Sequence, residues 1–353
     1  MKTYTNLYAS LCSFENLVAA AKKAQKGKRF HENVGRFNVN LEHELIRLRR
    51  ELLEKSYQPG RYREFLIYEP KKRTISAAPY CDRVVHHALC NVIAPLFERT
   101  FIFDSYANRV GKGTHQAVLR YQEFCRKNAF ALKADVKKYF PSIDHEILKG
   151  EVRRTIACPD TLWLIDRIID GGNEQEPINE YFPGDDLFTP FERRRGLPIG
   201  NLTSQFFANV YLNRFDHFVK EILRCPFYLR YVDDSVILGN DKRWLWEIKA
   251  QMEAFLEKNR LRLHEHKCQV RRTDQGVTFL GFRVFPDFRL VRRENIVRTR
   301  RRLRGLQAQF TAGELSWDEV TRSVHGWLGH ARFGDTYRLR ERLFEEHFFQ
   351  RAA

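Results

Sequence analysis

Three aspartates carry the chemistry this sequence is equipped to do. Asp135 closes the apolar run Phe130-Ala131-Leu132-Lys133-Ala134, and Asp233-Asp234 interrupts two apolar runs between Phe227 and Leu238. Carboxylates delivered at strand ends lose hydration and repel one another. A divalent cation offsets both costs. Hard ions such as Mg2+ take oxygen ligands and keep several waters, which leaves room for substrate phosphates. Two such ions clamp the attacking 3′-oxygen and the leaving pyrophosphate of an in-line displacement. Against this stands the common use of Asp in turns and caps, which is the better reading of an isolated Asp-Asp pair.

The elements that must position these groups follow from periodicity. Phe130–Val136 reads as a short strand, and Phe227–Leu238 as a hairpin with its carboxylates at the tip. Phe65–Tyr68 and Thr74–Ser76 flank the basic turn Pro70-Lys71-Lys72-Arg73 and predict a second hairpin. Helical spacing predicts helices over Asn40–Leu53, with Leu41, Leu45, Ile46, Leu48 and Leu52 apolar, and over Val84–Phe97 and Trp246–Leu256. Residues 145–170 read as helical on both sides of Cys158-Pro159. Leu202, Phe206, Val210, Phe218 and Ile222 fit one face of a single helix from Leu202 to Leu223. Gly171–Pro190 is an acidic Gly/Pro loop ahead of Arg193-Arg194-Arg195. Phe279-Leu280-Gly281-Phe282 begins a strand pair that turns near Pro286-Asp287, and the chain is then Arg-rich and helical.

With 353 residues and 43% apolar residues, the chain can bury a substantial core. Its 61 Lys and Arg against 44 Asp and Glu give a formal charge of +17, which attracts polyanions, nucleic acid foremost. No apolar run is long enough to span a membrane. The start lacks the pattern of a secretory signal. Seven scattered cysteines with no CxxC pair predict reduced thiols and a cytoplasmic protein.

The surroundings of the aspartates decide between the two readings. Tyr231-Val232-Asp233-Asp234 resembles the YxDD box of reverse transcriptases, and Asp135 followed by Phe140 resembles their first carboxylate box. Lys71-Lys72-Arg73 with Asp82-Arg83 resembles the fingers segment that grips the triphosphate. Ser105–Arg109 with Gly111–His115 resembles the next box, Leu263–Lys267 the box with a lysine near the pyrophosphate, and Phe279–Phe282 the primer grip. The boxes occur in family order along nearly the whole chain. The resemblance implies Asp135, Asp233 and Asp234 as catalytic residues that, with Val136, hold two Mg2+ ions, for which Mn2+ substitutes. It implies nucleotide binding by Lys71, Arg73, Phe140, Ile199, Gly200, Gln205 and Lys267, with Phe140 excluding a 2′-hydroxyl. It implies template and primer binding by Arg109, Lys112, Tyr231, Leu280, Gly281, Arg298 and Arg301.

Group II intron and retron enzymes carry QGxxxSP where this chain has Ile199-Gly200-Asn201-Leu202-Thr203-Ser204-Gln205. The run GLPIGNLTSQFFANVYLNRFDHFVK is similar to the reverse transcriptases of diversity-generating retroelements. Those enzymes copy a template-repeat RNA, miscopy its adenines and supply mutated cDNA to a target gene. That resemblance implies template RNA, RNA/cDNA duplex and deoxynucleoside triphosphates as partners, and a small, basic, helical, oligomeric accessory protein. The amphipathic residues 9–25 are a candidate contact for it.

Other signals carry less. His264-x-His266-x-Cys268 has zinc-like spacing on one face of a strand, but no fourth ligand is evident. Asp144 reads as a helix N-cap, and Trp244 and Trp246 as helix packing. The Arg-rich run from Arg289 to Arg304 suits contact with a primer–template backbone. Trp327 and Phe333 read as the core of a small helical unit.

The expected architecture is α+β, a right-hand polymerase fold: fingers over 1–130, palm over 131–285, and a helical basic thumb over 286–353. No chain is left over for an RNase H, integrase or endonuclease domain. Two alternatives differ in kind. One is an ordinary intron- or defence-type reverse transcriptase, which an error spectrum separates. The other is a catalytically silent RNA-binding protein, against which all three carboxylates count.

Overall fold

The computed structural model describes residues 2–68, 72–173 and 175–350. Strands β1 (Arg63–Ile67) and β2 (Arg73–Ala77) form the expected hairpin, in register from Arg63–Ala77 to Ile67–Arg73. Strands β3 (Phe130–Asp135), β4 (Tyr228–Tyr231), β5 (Asp234–Gly239) and β6 (Gln269–Arg272) form a sheet in the order β4-β5-β3-β6, antiparallel throughout. Strands β7 (Val277–Phe279), β8 (Phe282–Val284) and β9 (Arg289–Val291) make a separate antiparallel meander.

The central strands are apolar because both faces of their sheet are covered. Side chains alternate across a strand. Leu132, Ala134, Tyr228 and Ile237 therefore face one core, built with the helices Phe14–Ala24, Leu41–Leu53, Tyr80–Glu98, His145–Arg153, Pro159–Asp170, Leu202–Tyr211 and Lys242–Lys258. Ala131, Leu229, Val236 and Leu238 face a second core, shared with the helix Thr114–Lys127 and the β7–β9 meander. The first core runs without a break from Tyr8 to Cys268, so packing crosses residue 130.

Several expectations are corrected. The single helix over Leu202–Leu223 is three pieces: Leu202–Tyr211, Asn213–His217 and a π turn over Phe218–Ile222. The π turn admits an extra residue and rotates the apolar stripe, which leaves Ile222 70% exposed. Ile46 is likewise on the outside of its helix, at 53%. Leu280 and Gly281 do not begin a strand. They are a two-residue hairpin turn between β7 and β8, both with positive φ (45° and 89°), the backbone twist that matches paired strands. His264–Cys268 is a turn rather than a strand, since the Lys267 and Cys268 amides both donate to the His264 carbonyl. Phe333 does not close a private core. It stacks on His115, with centroids 3.9 Å apart, and abuts Phe282, so it docks the C-terminal helices on Thr114–Lys127. The helix Phe14–Ala24 turns Leu17, Ala20, Ala21 and Ala24 into the first core, where it packs on Tyr80–Glu98. Asp144 is the N-cap expected of it, accepting from the Ile147 amide at 3.0 Å.

One core group is a titration liability. His86 is 1% exposed, and neither ring nitrogen has a hydrogen-bond partner among the described residues. Burial first, then positive charge on the neighbouring His87 and Arg83, pushes it down to about 3. The unfolded chain takes up a proton near pH 6.5 that the folded chain refuses, so stability is intact above that value and falls as pH drops toward 3. From pH 7 to pH 5 this one group is expected to remove about 2 kcal/mol. Urea midpoints at the two pH values should converge in His86→Leu. An unchanged pH dependence in that variant would remove His86 as the source.

Candidate active site

The sheet gathers the three aspartates. Asp135 ends β3 directly opposite Asp234, the first residue of β5, and Tyr231 pairs with Asp234 to close the β4–β5 turn. Opposed residues of an antiparallel pair project from the same face. Asp233 sits at the tip, and its carbonyl accepts from the Val136 amide at 3.3 Å, which ties the turn to the end of β3. Val232 reaches the tip with φ of +57°, a backbone state that β-branched residues rarely adopt.

The electrostatics mark this as a place of excess negative charge. Asp233 is half-buried, and its carboxyl is pushed up to about 6, first by burial and then by Asp234 and Asp135, with Arg73 opposing them. Two ammonium groups relieve the others. The Lys267 Nζ lies 3.2 and 3.1 Å from the two Asp135 oxygens. The Lys133 Nζ lies 3.1 Å from Asp234 Oδ1, although the geometry is an ion contact and leaves that oxygen without an aligned donor.

No three carboxylate, histidine or cysteine side chains among the described residues already converge as a finished metal cage. The donor set nevertheless fits a hard divalent cation. It is all oxygen: Asp135, Asp233, Asp234 and, since valine has no side-chain donor, the main chain of Val136. The raised Asp233 carboxyl and the unaligned Asp234 Oδ1 are what a cation would satisfy. Bound there, divalent ions supply Lewis-acid stabilisation of phosphoryl oxygens.

The residues expected to meet the nucleotide form a second layer. The Ile199 carbonyl accepts from the Ser76 amide at 2.9 Å. Asn201 donates to the Ser76 and Pro198 carbonyls at 2.9 and 3.3 Å and accepts from the Ala78 amide. The loop Leu197–Asn201 is thus fastened to β2, which begins at Arg73. Gly200 has φ of +116°, and a Cβ on it would lie 2.8 Å from Ile75 Cγ2, so only glycine suits the position. Gln205 follows on the helix Leu202–Tyr211. Phe140, on a short helical turn, holds the same loop through its carbonyl, which accepts from the Leu197 amide at 2.9 Å. Lys71 lies outside the described residues.

The expected template and primer residues divide. Tyr231 accepts from the Thr114 hydroxyl at 3.1 Å, beside the site. Arg109 is spent inside its own loop: it donates to the Ile102 and Ser105 carbonyls and pairs with Glu98 at 2.7 Å. Lys112 donates to the Phe103 carbonyl at 2.9 Å and lies over the Phe103 ring. Leu280 and Gly281 gather with the C-terminal helices, where His330 crowds Gly281. Arg298 and Arg301 line a groove of about 660 Å3 along the helix Arg293–Thr311, together with Arg293 and Arg302.

Sequence reasoning missed three supports. Lys133 holds Asp234, Asn201 fastens the loop, and Arg230 with Asp216 lies beneath the turn as a fully buried ion pair. An Arg inside an otherwise apolar strand was the available signal for the last, because a buried guanidinium requires a carboxylate.

Comparison with known proteins places these features together. The family model described as reverse transcriptase (RNA-dependent DNA polymerase) matches residues 68–284. Protein YkfC of Escherichia coli K12 is 26% identical over 289 residues, covering 68% of this chain and 71% of that protein. The group II intron-encoded protein LtrA of Lactococcus lactis subsp. cremoris is 21% identical over 184 residues, 51% of this chain and 29% of LtrA. A putative COX1/OXI3 intron 1 protein of Saccharomyces cerevisiae is 20% identical over 216 residues, 61% of this chain and 23% of its own length. The chain therefore spans most of YkfC but under a third of these intron proteins. Apo telomerase from Candida tropicalis superposes with a TM-score of 0.42 at 12% identity, covering 64% of this chain and 47% of that one.

Proposed function

This chain belongs to the reverse transcriptase (RNA-dependent DNA polymerase) family, and from that premise we propose that it is the error-prone polymerase of a diversity-generating retroelement. As an RNA-directed DNA polymerase it takes a nucleic-acid template and deoxynucleoside triphosphates. In the proposed role the template is a template-repeat RNA, the errors fall opposite adenines, and the cDNA rewrites a target gene. A small, basic, helical accessory protein is the proposed partner. No helix among the described residues is long and apolar enough to cross a membrane; a cytoplasmic location is part of the proposal.

Asp135, Asp233, Asp234 and the Val136 carbonyl are assigned to two Mg2+ ions. Lys267 is assigned to the pyrophosphate end, where its ammonium can give up a proton to the leaving group. Arg73 and Lys71 are assigned to the triphosphate, since planar guanidinium suits phosphate oxygens. Phe140 is assigned to the sugar, with Gly200 and Gln205 beside it. Tyr231, the Leu280-Gly281 turn, Arg298 and Arg301 are assigned to primer and template. Arg109 and Lys112 are assigned to the same surface, held in place by their bonds to Glu98 and to the carbonyls of Ile102, Phe103 and Ser105.

The observation that supports low fidelity is Ile199. It stands where intron-type enzymes carry Gln, in a loop fastened to the strand that carries Arg73. Apolar contact alone discriminates weakly between near-isosteric partners, whereas a required hydrogen bond discriminates strongly. Ile199→Gln is expected to lower substitutions opposite template adenine about tenfold, which corresponds to roughly 1.4 kcal/mol of added discrimination. Sequencing of cDNA made by both enzymes reads this out, and an unchanged adenine error rate would take Ile199 out of the account. A second reading is a faithful intron-type polymerase. The similarity to LtrA favours it, and the wild-type error spectrum decides.

A further inference from the structure

Beneath the catalytic turn lies a guanidinium with no route to solvent. Arg230 is 1% exposed. It donates from Nε to Asp216 Oδ1 and from Nη2 to Asp216 Oδ2, both at 2.7 Å. The Tyr228 hydroxyl donates to Asp216 Oδ1 at 2.6 Å, which orients the carboxylate from its other side. Those bonds neutralise the pair and leave Nη1 free to point elsewhere. It donates to the Val232 carbonyl at 2.9 Å, with weaker contact to Asn209 Oδ1 at 3.3 Å.

The Val232 carbonyl and the Asp233 amide belong to one planar peptide. Fixing that oxygen fixes the plane from which Asp233 departs. The residue so held is a β-branched valine at φ of +57°, a conformation that relaxes unless its surroundings impose it. The neighbouring restraint, Val136 amide to Asp233 carbonyl, is long at 3.3 Å. Arg230 therefore holds the tip by a shorter hydrogen bond than the Val136 amide does.

We infer that Arg230 is a positioning residue for the polymerase reaction: anchored on Asp216, it forces the Val232 backbone into its left-handed state and so aims Asp233 at Asp135 and Asp234. It touches neither nucleotide nor metal-binding oxygen and acts only through the turn.

A buried ion pair that merely supports the fold makes a different prediction. Arg230→Met leaves Asp216 as an uncompensated buried charge and is a poor probe. Arg230→Lys keeps the positive charge beside Asp216, but a single ammonium cannot reproduce a planar fork plus a third directed bond. The double variant Asp216→Asn with Arg230→Gln removes both charges together and leaves no lone ion. Both lose the hold on Val232. Folding is checked by thermal melting and circular dichroism, and single-nucleotide extension of an RNA-templated DNA primer gives kcat and KM for the nucleotide. In whichever variant is folded, kcat is expected to fall about 10–100-fold, with KM changed by less than about threefold. Adding Val232→Gly, which adopts positive φ without strain, should recover a large part of that loss in the variant background and not in the wild type. A folded variant with wild-type kcat overturns the assignment. So do losses that simply multiply when Val232→Gly is added. Asp233→Ala, run alongside, reports separately whether the turn carries the chemistry at all.

Discussion

Asp135→Ala, Asp233→Ala and Asp234→Ala are each expected to reduce RNA-templated nucleotide addition at least about a thousandfold, because each withdraws several kcal/mol of charge stabilisation from the transition state. The three differ in stability, which separates loss of chemistry from loss of fold. Asp233 is half-buried among like charges, and its carboxyl is already pushed up to about 6. Its removal should leave the melting temperature unchanged or slightly raised. Asp234→Ala and Asp135→Ala each strand a lysine, Lys133 and Lys267 respectively, whose partner is lost. Those lysines are partly exposed, so the expected cost stays within about 1 kcal/mol. Primer extension with melting curves measures both. Substantial extension by Asp233→Ala would move the chemistry away from this turn.

Asp144→Ala, away from the site, is expected to cost about 3–5 kcal/mol of folding stability. Asp144 is 1% exposed and does three things at once. It caps the helix His145–Arg153 through the Ile147 amide, pairs with Arg260 at 2.6 Å, and lies 3.5 Å from the Arg193 Nε. Alanine loses the cap, worth about 1 kcal/mol, and leaves buried Arg193 with Asp185 alone. Urea denaturation should show the fall in midpoint at constant slope. A loss below about 1 kcal/mol would mean that Arg193 relaxes to solvent.

What was legible in the sequence and what was not divide along physical lines. The β1–β2 hairpin, the strand ending at Asp135 and the hairpin bearing Asp233-Asp234 follow from short apolar runs punctuated by turn residues, a local signal. So does the Asp144 cap. The π turn at Phe218–Ile222 was not legible, because the apolar spacing 202, 206, 210 fits a regular helix and only tertiary packing reveals the inserted residue. The Leu280-Gly281 turn was missed because Leu at positive φ carries no sequence signature. The docking of Phe333 on His115 joins residues more than 200 positions apart, which no local pattern encodes. Within the site the aspartates could be found from the sequence. Lys133, Asn201 and the Arg230–Asp216 pair could not be assigned roles, since their meaning lies in which atom each one reaches.

The most direct test of the account is cDNA synthesis by the purified wild-type protein, with Mg2+ and an RNA template containing all four bases, followed by sequencing of the product. The expected product is cDNA whose substitutions concentrate opposite template adenines, with the other three bases copied more faithfully. cDNA with errors spread evenly over the four bases would contradict the proposed role in sequence diversification. Failure to make cDNA, with the proposed accessory protein supplied and the fold intact, would contradict the assignment of these three aspartates as a working polymerase centre.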